Sequence, residues 1–185
     1  MSGLRIEGYV IVSADGRLAN ARNVMPDDLK IEGDKRFFTS ALDHADLVVH
    51  GRHSGEEQPN APKRRRLILT GKVATIAPDP SNPKALLWNP AGCSFETATS
   101  AAGVTAGVAA IIGGPAVFGM FMDRYDTFWL SVAPRVRIPD GEPCFPGVPA
   151  STPQQVLSAH GLTAGAPQLI DKEHDVSVTP WRRVA

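Results

Sequence analysis

The sequence predicts an α/β domain built on a mainly parallel sheet with an antiparallel C-terminal edge. Short apolar, β-branched runs alternate with helix-like segments as far as about residue 133, and strand-like runs dominate after it. Three of the parallel-type runs, closing at His50, Thr70 and Ile112, are each followed directly by glycine. In such sheets a ligand sits beyond the carboxyl ends of the strands, where backbone must approach it closely.

The elements follow in order. Leu4 to Ser13 (LRIEGYVIVS) reads as a first strand. Ala14 to Gly33 is long and polar and reads as an unstructured loop, which in a compact domain is usually functional. Asp34 to Asp43 reads as a helix that Asp34 caps or begins, with Phe37, Phe38, Ala41 and Leu42 on its buried side. Asp46 to His50, Arg66 to Thr70 and Ala85 to Trp88 are short strands, and Ser94 to Ala102 is a weak helix. Gly107 to Ile112 is a buried strand running through Gly113-Gly114 into a helix over Pro115 to Met122, with Pro at its first position. Asp126 to Ala133 is a strand and Gln154 to His160 a short helix. Leu162 to Ile170 and Val176 to Trp181 form a closing antiparallel pair around Asp171 to His174.

Composition narrows the function. The 185 residues suit one domain over 1–185, large enough to bury a core without disulfides or metal. Lys plus Arg equals Asp plus Glu at 19 each, which argues against a general nucleic-acid or membrane-surface binder. Cys93 and Cys144 have no ligand-spaced partners, so no metal site is expected; two reduced thiols are, with a single disulfide between them as the alternative. The start, MSGLRIE, is unlike a signal peptide, and no run approaches the ~20 apolar residues of a membrane helix, so the expected location is the cytoplasm.

Four segments can carry chemistry. In AAIIGGPAVF, Ala109 to Phe118, a strand passes through two glycines into a helix whose free N–H groups attract phosphate; the alternative is a tight turn with no ligand. It is not the GxGxxG dinucleotide fingerprint. In VVHGRHS, Val48 to Ser54, a strand delivers Arg52, His53 and Ser54 to one spot, a set suited to a phosphate monoester or else to a solvated loop. Lys63 to Arg66 reads as a solvated turn or an edge-strand guard, or as a grip for an anionic substrate or cofactor. It lacks the aromatics that a nucleic-acid site would use. Asp34 is either an ordinary helix N-cap or a proton donor whose pKa burial raises.

Taken in order, these pieces resemble dihydrofolate reductase and its relatives, among them the pyrimidine reductase of riboflavin biosynthesis, over nearly the whole chain. IVSADGRLAN (Ile11 to Asn20) resembles the S-x-D-G-x-x-A segment of the riboflavin-type branch, and IEGDKRFFTSAL (Ile31 to Leu42) resembles the helix carrying the substrate-binding acid, which falls on Asp34. VVHGRHS resembles the G-R-x-[ST] cofactor motif, and RLILTG the strand after it. IIGGPAVFGMFM resembles the segment whose glycines meet pyrophosphate and nicotinamide, and VSVTPWRR the last strand. Two departures stand out: Pro115 occupies the place of a frequent third glycine, and Asp27 follows Pro26 where folate enzymes often carry a large aromatic.

The resemblance implies a three-layer fold with helices on both faces of the sheet, NADPH as cofactor, and hydride transfer to a C=N bond. It implies cofactor contacts at Val12, Ala14, Gly51, Arg52, His53, Ser54, Thr70, Gly71, Gly113, Gly114, Ala116, Val117 and Phe118. Substrate contacts fall at Asp15, Asp34, Phe38 and Ser131, with Asp34 as the catalytic acid and Asp15 facing either substrate or loop backbone. The loop Gly16 to Gly33 would close over the site, and Arg52 would select NADPH over NADH. The substrate is a ribosylaminopyrimidine phosphate of the riboflavin route or, alternatively, dihydrofolate. No H-x-E and C-x-x-C pair of a fused zinc deaminase is present. A nucleotide-binding protein without catalysis stays open as a third reading. The riboflavin-type relatives also imply a homodimer, with Phe128 to Val132 and the last strands as candidate surface.

Overall fold

A computed structural model describes residues 3–185. Its elements are β1 (Gly3–Ser13), β2 (Arg17–Ala19), α1 (Glu32–Asp43), β3 (Leu47–Gly51), β4 (Arg66–Leu69), β5 (Ile76–Asp79), β6 (Asn82–Trp88), α2 (Phe95–Ala101), β7 (Ala106–Gly113), α3 (Pro115–Met120), β8 (Thr127–Ala133), β9 (Glu142–Pro143), α4 (Pro153–Ala159), β10 (Leu162–Ala164), β11 (Gln168–Asp171) and β12 (Val176–Arg183). Ten strands form one sheet in the order β10-β12-β8-β1-β7-β3-β4-β6-β5, with β11 also on β12. The run from β8 to β6 is parallel throughout. β12 pairs antiparallel with β8 and carries β10 and β11, which gives the expected antiparallel C-terminal edge. All six parallel strands therefore present their carboxyl ends at one rim.

Strand alternation sorts side chains to two faces. Tyr9, Val48 and Ala110 point one way and pack against Leu42, Phe37 and Phe38 of α1. Leu47, Val49, Ala109, Ile111 and Leu130 point the other way and pack against Phe95 of α2, Val117 and Phe118 of α3, and Leu157 of α4. This is a three-layer arrangement with helices on both faces. Behind the end of β7 the rings of Phe118, Phe128 and Phe145 meet edge to face, with centroids 5.1 to 5.9 Å apart. Such contacts add about 0.5–1.5 kcal/mol per pair to the burial itself.

Several expectations need correction. The stretch from Ala14 to Gly33 is not unstructured. β2 pairs with β9, and the turn Asp27–Leu29 buries Leu29 and Ile31 against Ile11, Ala133 and Val176. The helix begins at Glu32, with Ile31 in the cap position, so Asp34 lies inside the first turn and is not its cap. The strand expected over Leu162 to Ile170 is two, because the chain breaks at Gly165 before Pro167, which has no N–H to offer a ladder. A second antiparallel edge, β5, pairs with β6, and Pro78 is tolerated there because β5 has no outer neighbour. The segment Phe128 to Val132 lies on β8 between β1 and β12, with Phe128, Leu130 and Ser131 buried, so it offers no exposed sheet edge.

The basic run is not a solvated turn or an edge guard. β4 is interior, and Arg64 and Arg66 are buried. Arg64 reaches Asp43 at 2.7 Å and Glu56 at 3.2 Å, and Arg66 forms a close ion pair with Glu56. Arg66 also donates to Ala61 O and meets His50 Nε2 at 3.2 Å. Only Arg65 of these three stays exposed, capping the carbonyls of Ala102 and Gly103. Cys93 and Cys144 are unbonded, and burial pushes the Cys144 thiol up to about 12. Among the described residues no helix is long and apolar enough to cross a membrane.

Candidate active site

The parallel rim carries the candidate residues in the sheet's own order. β4 ends in Leu69, followed by Thr70 and Gly71; β3 ends at Gly51, followed by Arg52 to Ser54; β7 ends at Gly113; and β1 leads into Ala14. Ser131 lies on β8, opposite Ile11 of β1. Ligand binding beyond such a rim is the general habit of open parallel sheets.

At the β3–β4 end an open depression of about 390 Å³ is lined by Arg52, His53, Leu69, Thr70, Gly71 and Lys72. Two segments assigned separately from sequence therefore meet in one place. Lys72 was not among the expected residues; its only signal was its position next to Thr70 and Gly71. The Arg52 and Lys72 side chains have no hydrogen-bond or ion-pair partner among the described residues. A phosphate monoester suits this cationic rim, where a guanidinium grips it bidentately and an ammonium adds a point charge. His50 does not join them. It is buried, accepts from Arg66 at Nε2 and donates from Nδ1 to Gly51 O at 2.7 Å, and burial lowers its pKa. It holds the β3 turn from below.

The next stretch of the rim is nearly free of side chains. Gly113 has φ +119°, a conformation side-chain-bearing residues rarely adopt, and the Gly113–Gly114 peptide is cis. A Cβ on Gly114 would lie 2.9 Å from Ser54 Oγ, and one on Gly51 would face Gly113 O and Gly114 N at 3.8 Å. The Gly51–Ser54 turn and the Gly113–Gly114 turn thus stand side by side as a cradle, with Gly113 buried and Gly51, Ser54 and Gly114 half-buried. Such a surface fits an extended phosphate-bearing ligand. Pro115 removes one amide donor from the first turn of α3 and leaves those of Ala116 and Val117. Ala116 is exposed, whereas Phe118 is buried in the core behind the turn. Val12 is likewise 1% exposed, so only its backbone can meet a ligand; Ala14 is exposed.

Across β1 from this cradle lies the acid. Asp34 and Phe38 share a face of α1, one turn apart. The Ser131 hydroxyl, itself buried, donates to the Asp34 carboxylate. Burial pushes the Asp34 carboxyl up to about 6, against the opposing pull of that hydrogen bond. An acid poised there is protonated often enough near neutral pH to donate. Its raised value is also a stability statement. The group contributes fully below its ordinary value of 3.8, and that contribution is lost as pH rises through about 6. Asp34→Asn is therefore expected to melt higher than the parent at neutral pH and to lose the advantage as pH falls toward about 4. Thermal melts across that range check it.

Asp15 serves the loop. It accepts from Ser13 Oγ at 2.5 Å and from the Ile138 amide at 3.0 Å. Desolvation works to raise its pKa but is outweighed by those donors and the charge of Arg17, so the carboxyl sits below its ordinary range. With Ala14 N donating to Val136 O at 2.8 Å, Asp15 staples the segment after β8 to the end of β1. Among the described residues no cluster of three His, Cys, Asp or Glu side chains is placed to hold a metal ion.

Neither protein-family profiles nor curated proteins match the chain. Solved structures do. A protein assigned to riboflavin biosynthesis from Shewanella sp. PV-4 superimposes with a TM-score of 0.69 at 18% identity, over 98% of this chain and 99% of that one. Dihydrofolate reductase from Enterococcus faecalis, complexed with NADP(H) and RAB-propyl, gives 0.67 at 18% identity, over 98% and 97%. The diaminohydroxyphosphoribosylaminopyrimidine deaminase/5-amino-6-(5-phosphoribosylamino)uracil reductase of Thermotoga maritima gives 0.64 at 16% identity, covering 97% of this chain and 56% of that one. The chain has the dihydrofolate reductase-like fold.

Proposed function

We propose that this protein is an NADPH-dependent reductase of a C=N bond in a pteridine-like or ribosylaminopyrimidine substrate, with residues 1–185 acting as one reductase domain. The observation that carries the reading is the continuous rim: a cationic depression, a glycine-lined cradle and a half-buried acid lie in sequence along the carboxyl ends of the parallel strands. NADPH, when bound, supplies hydride from its nicotinamide C4. Arg52, His53 and Lys72 would hold the 2′-phosphate, with Thr70 and Gly71 beside the adenosine. Gly51, Ser54, Gly113 and Gly114 would carry the pyrophosphate, with the free amides of Ala116 and Val117 nearby. The backbone of Val12 and Ala14 would form the floor under the nicotinamide.

Asp34 would orient the substrate ring and give its proton to the nitrogen of the bond while the carbon receives hydride. Ser131 would orient the Asp34 carboxyl, and Phe38 would offer an apolar wall. Fixing both partners before reaction is where most of the rate would come from. The stretch between β2 and the Asp27–Leu29 turn would cover the site. Its two ends are pinned, so closure would use the residues between them. The riboflavin-type and folate-type neighbours both accord with this chemistry. The protein would work in the cytoplasm, as a homodimer.

NADPH consumption by the purified protein, screened against pteridines and ribosylaminopyrimidine phosphates, tests the reaction and chooses between the substrates. Arg52→Ala tests the cofactor site. The variant should bind NADPH at least about tenfold more weakly, since a charge-assisted contact is worth about 1.5–3 kcal/mol, and NADH binding should hardly change. Equal losses for both cofactors would remove Arg52 from the 2′-phosphate site.

A further inference from the structure

The first turn of α1 is capped from far along the chain. Ile31 in the cap position has no side chain that can cap. Instead Asp171, at the end of β11, accepts from the buried Gly33 amide at 2.9 Å through Oδ2. A Cβ on Gly33 would stand 2.1 Å from Ile170 O and 2.7 Å from Asp171 Cβ, so the helix start is pressed onto the β11 backbone. The other carboxylate oxygen, Oδ1, accepts from the His174 amide at 2.9 Å and meets His174 Nδ1 at 3.0 Å. The amide and ring of His174, then the Gly33 amide, hold this carboxyl down at about 2, so it stays an anion at working pH. The next residue after Gly33 is Asp34, which is bonded to Ser131. Ser131 lies opposite Val178 of β12, and Val178 opposite Gln168 of β11. The hairpin thus supports both ends of the Asp34–Ser131 pair, one through Asp171 and one through β12.

We infer that Asp171 is a positioning residue that pins the first turn of α1 and so sets where the Asp34 carboxyl sits against Ser131. Its meaning for catalysis rests on the reading of Asp34 as proton donor; its test does not. The test follows the Asp34 carboxyl by NMR titration in the free protein, with no cofactor or substrate. In Asp171→Ala the first turn loosens and hydrates, and the Asp34 midpoint should fall by about one pH unit, tenfold in proton affinity. Asp171→Asn removes the same charge but keeps the shape. Its amide oxygen can still accept from Gly33, which keeps the pin on α1, while its nitrogen faces the His174 amide, loses that contact, and can donate only to the His174 ring. It should retain most of the parent's midpoint. Equal drops in the two variants would mean that charge alone is at work, and no drop in folded Asp171→Ala would mean that position 171 does not matter; either overturns the inference.

Should Asp171→Ala not fold, His174→Ala decides. That ring is 47% exposed, and its loss frees one of Asp171's contacts, so a smaller drop is expected. An unchanged or raised value overturns the inference. Failure of the reductase reading shows separately, as a parent protein that binds no NADPH while its Asp34 midpoint still follows position 171.

Discussion

Replacing Asp34 by Asn should lower turnover by about 10²–10⁴-fold, the usual range for loss of a general acid, while NADPH affinity stays near that of the parent. The reason is position. Asp34 lies across β1 from the glycine cradle, beside Ser131 on β8, whereas Arg52 follows β3, so on the proposed reading Asp34 would meet the substrate and not the cofactor phosphate. The amide keeps the shape and the Ser131 contact but has no proton of suitable acidity to give. The parent's rate should fall as pH rises through about 6, where the Asp34 carboxyl loses its proton. The Asn variant should show a flat profile over the same range. Steady-state rates across pH, with cofactor binding measured in parallel, check both points. A variant as active as the parent would move the proton source elsewhere, to water or the substrate itself. A parent with no turnover to lose would favour a nucleotide binder without catalysis.

Glu56→Ala should destabilise the protein by about 3–5 kcal/mol, the cost typical of removing one member of a buried ion network. The Glu56 side chain is 4% exposed and those of Arg64 and Arg66 are each 6% exposed. Oε1 of Glu56 faces both guanidiniums, and Oε2 accepts from the Gln58 amide at 2.8 Å. Truncation leaves two buried cations with too few acceptors. Arg64 Nη2 already has no hydrogen-bond partner among the described residues. Because Arg66 also contacts His50, and His50 braces the Gly51 carbonyl, the loss should reach the Gly51 turn and, on the proposed reading, weaken NADPH binding as well. Urea denaturation reads the first effect and a cofactor titration the second. Glu56→Gln, which keeps the shape and one acceptor, should lose less than Glu56→Ala. An unchanged unfolding midpoint in Glu56→Ala would show that water takes over the carboxylate's role.

What was legible in the sequence divides along a physical line. Runs such as Asp46 to His50 and Gly107 to Ile112 announced buried parallel strands because both faces of such strands are apolar. Gly113-Gly114 announced a turn because few other residues fit there. The opposing role of Asp34, cap or acid, was not decidable locally: either reading needs only a carboxylate before an apolar helix, and burial beside Ser131 is a property of the assembled sheet. The Lys63 to Arg66 run was misread for the same reason. Four adjacent cations look solvated until the fold brings Glu56 and Asp43 to them. β2 was invisible because its partner β9 is two residues long and distant in the chain, and β5 was hidden by Pro78. Asp171 looked like an ordinary turn residue in DKEH, since nothing near it shows that a helix N-terminus will be pressed against the hairpin.

The most direct test of the rim as an NADPH site is a fluorescence titration of the unmodified protein with NADPH and, separately, NADH. Saturable binding of NADPH, tighter than that of NADH by about tenfold or more, is the expected result, because the 2′-phosphate is the only difference and Arg52, His53 and Lys72, which line one depression, are the groups proposed to meet it. Binding of neither cofactor would contradict the account and would mean that this fold serves another ligand along the same rim.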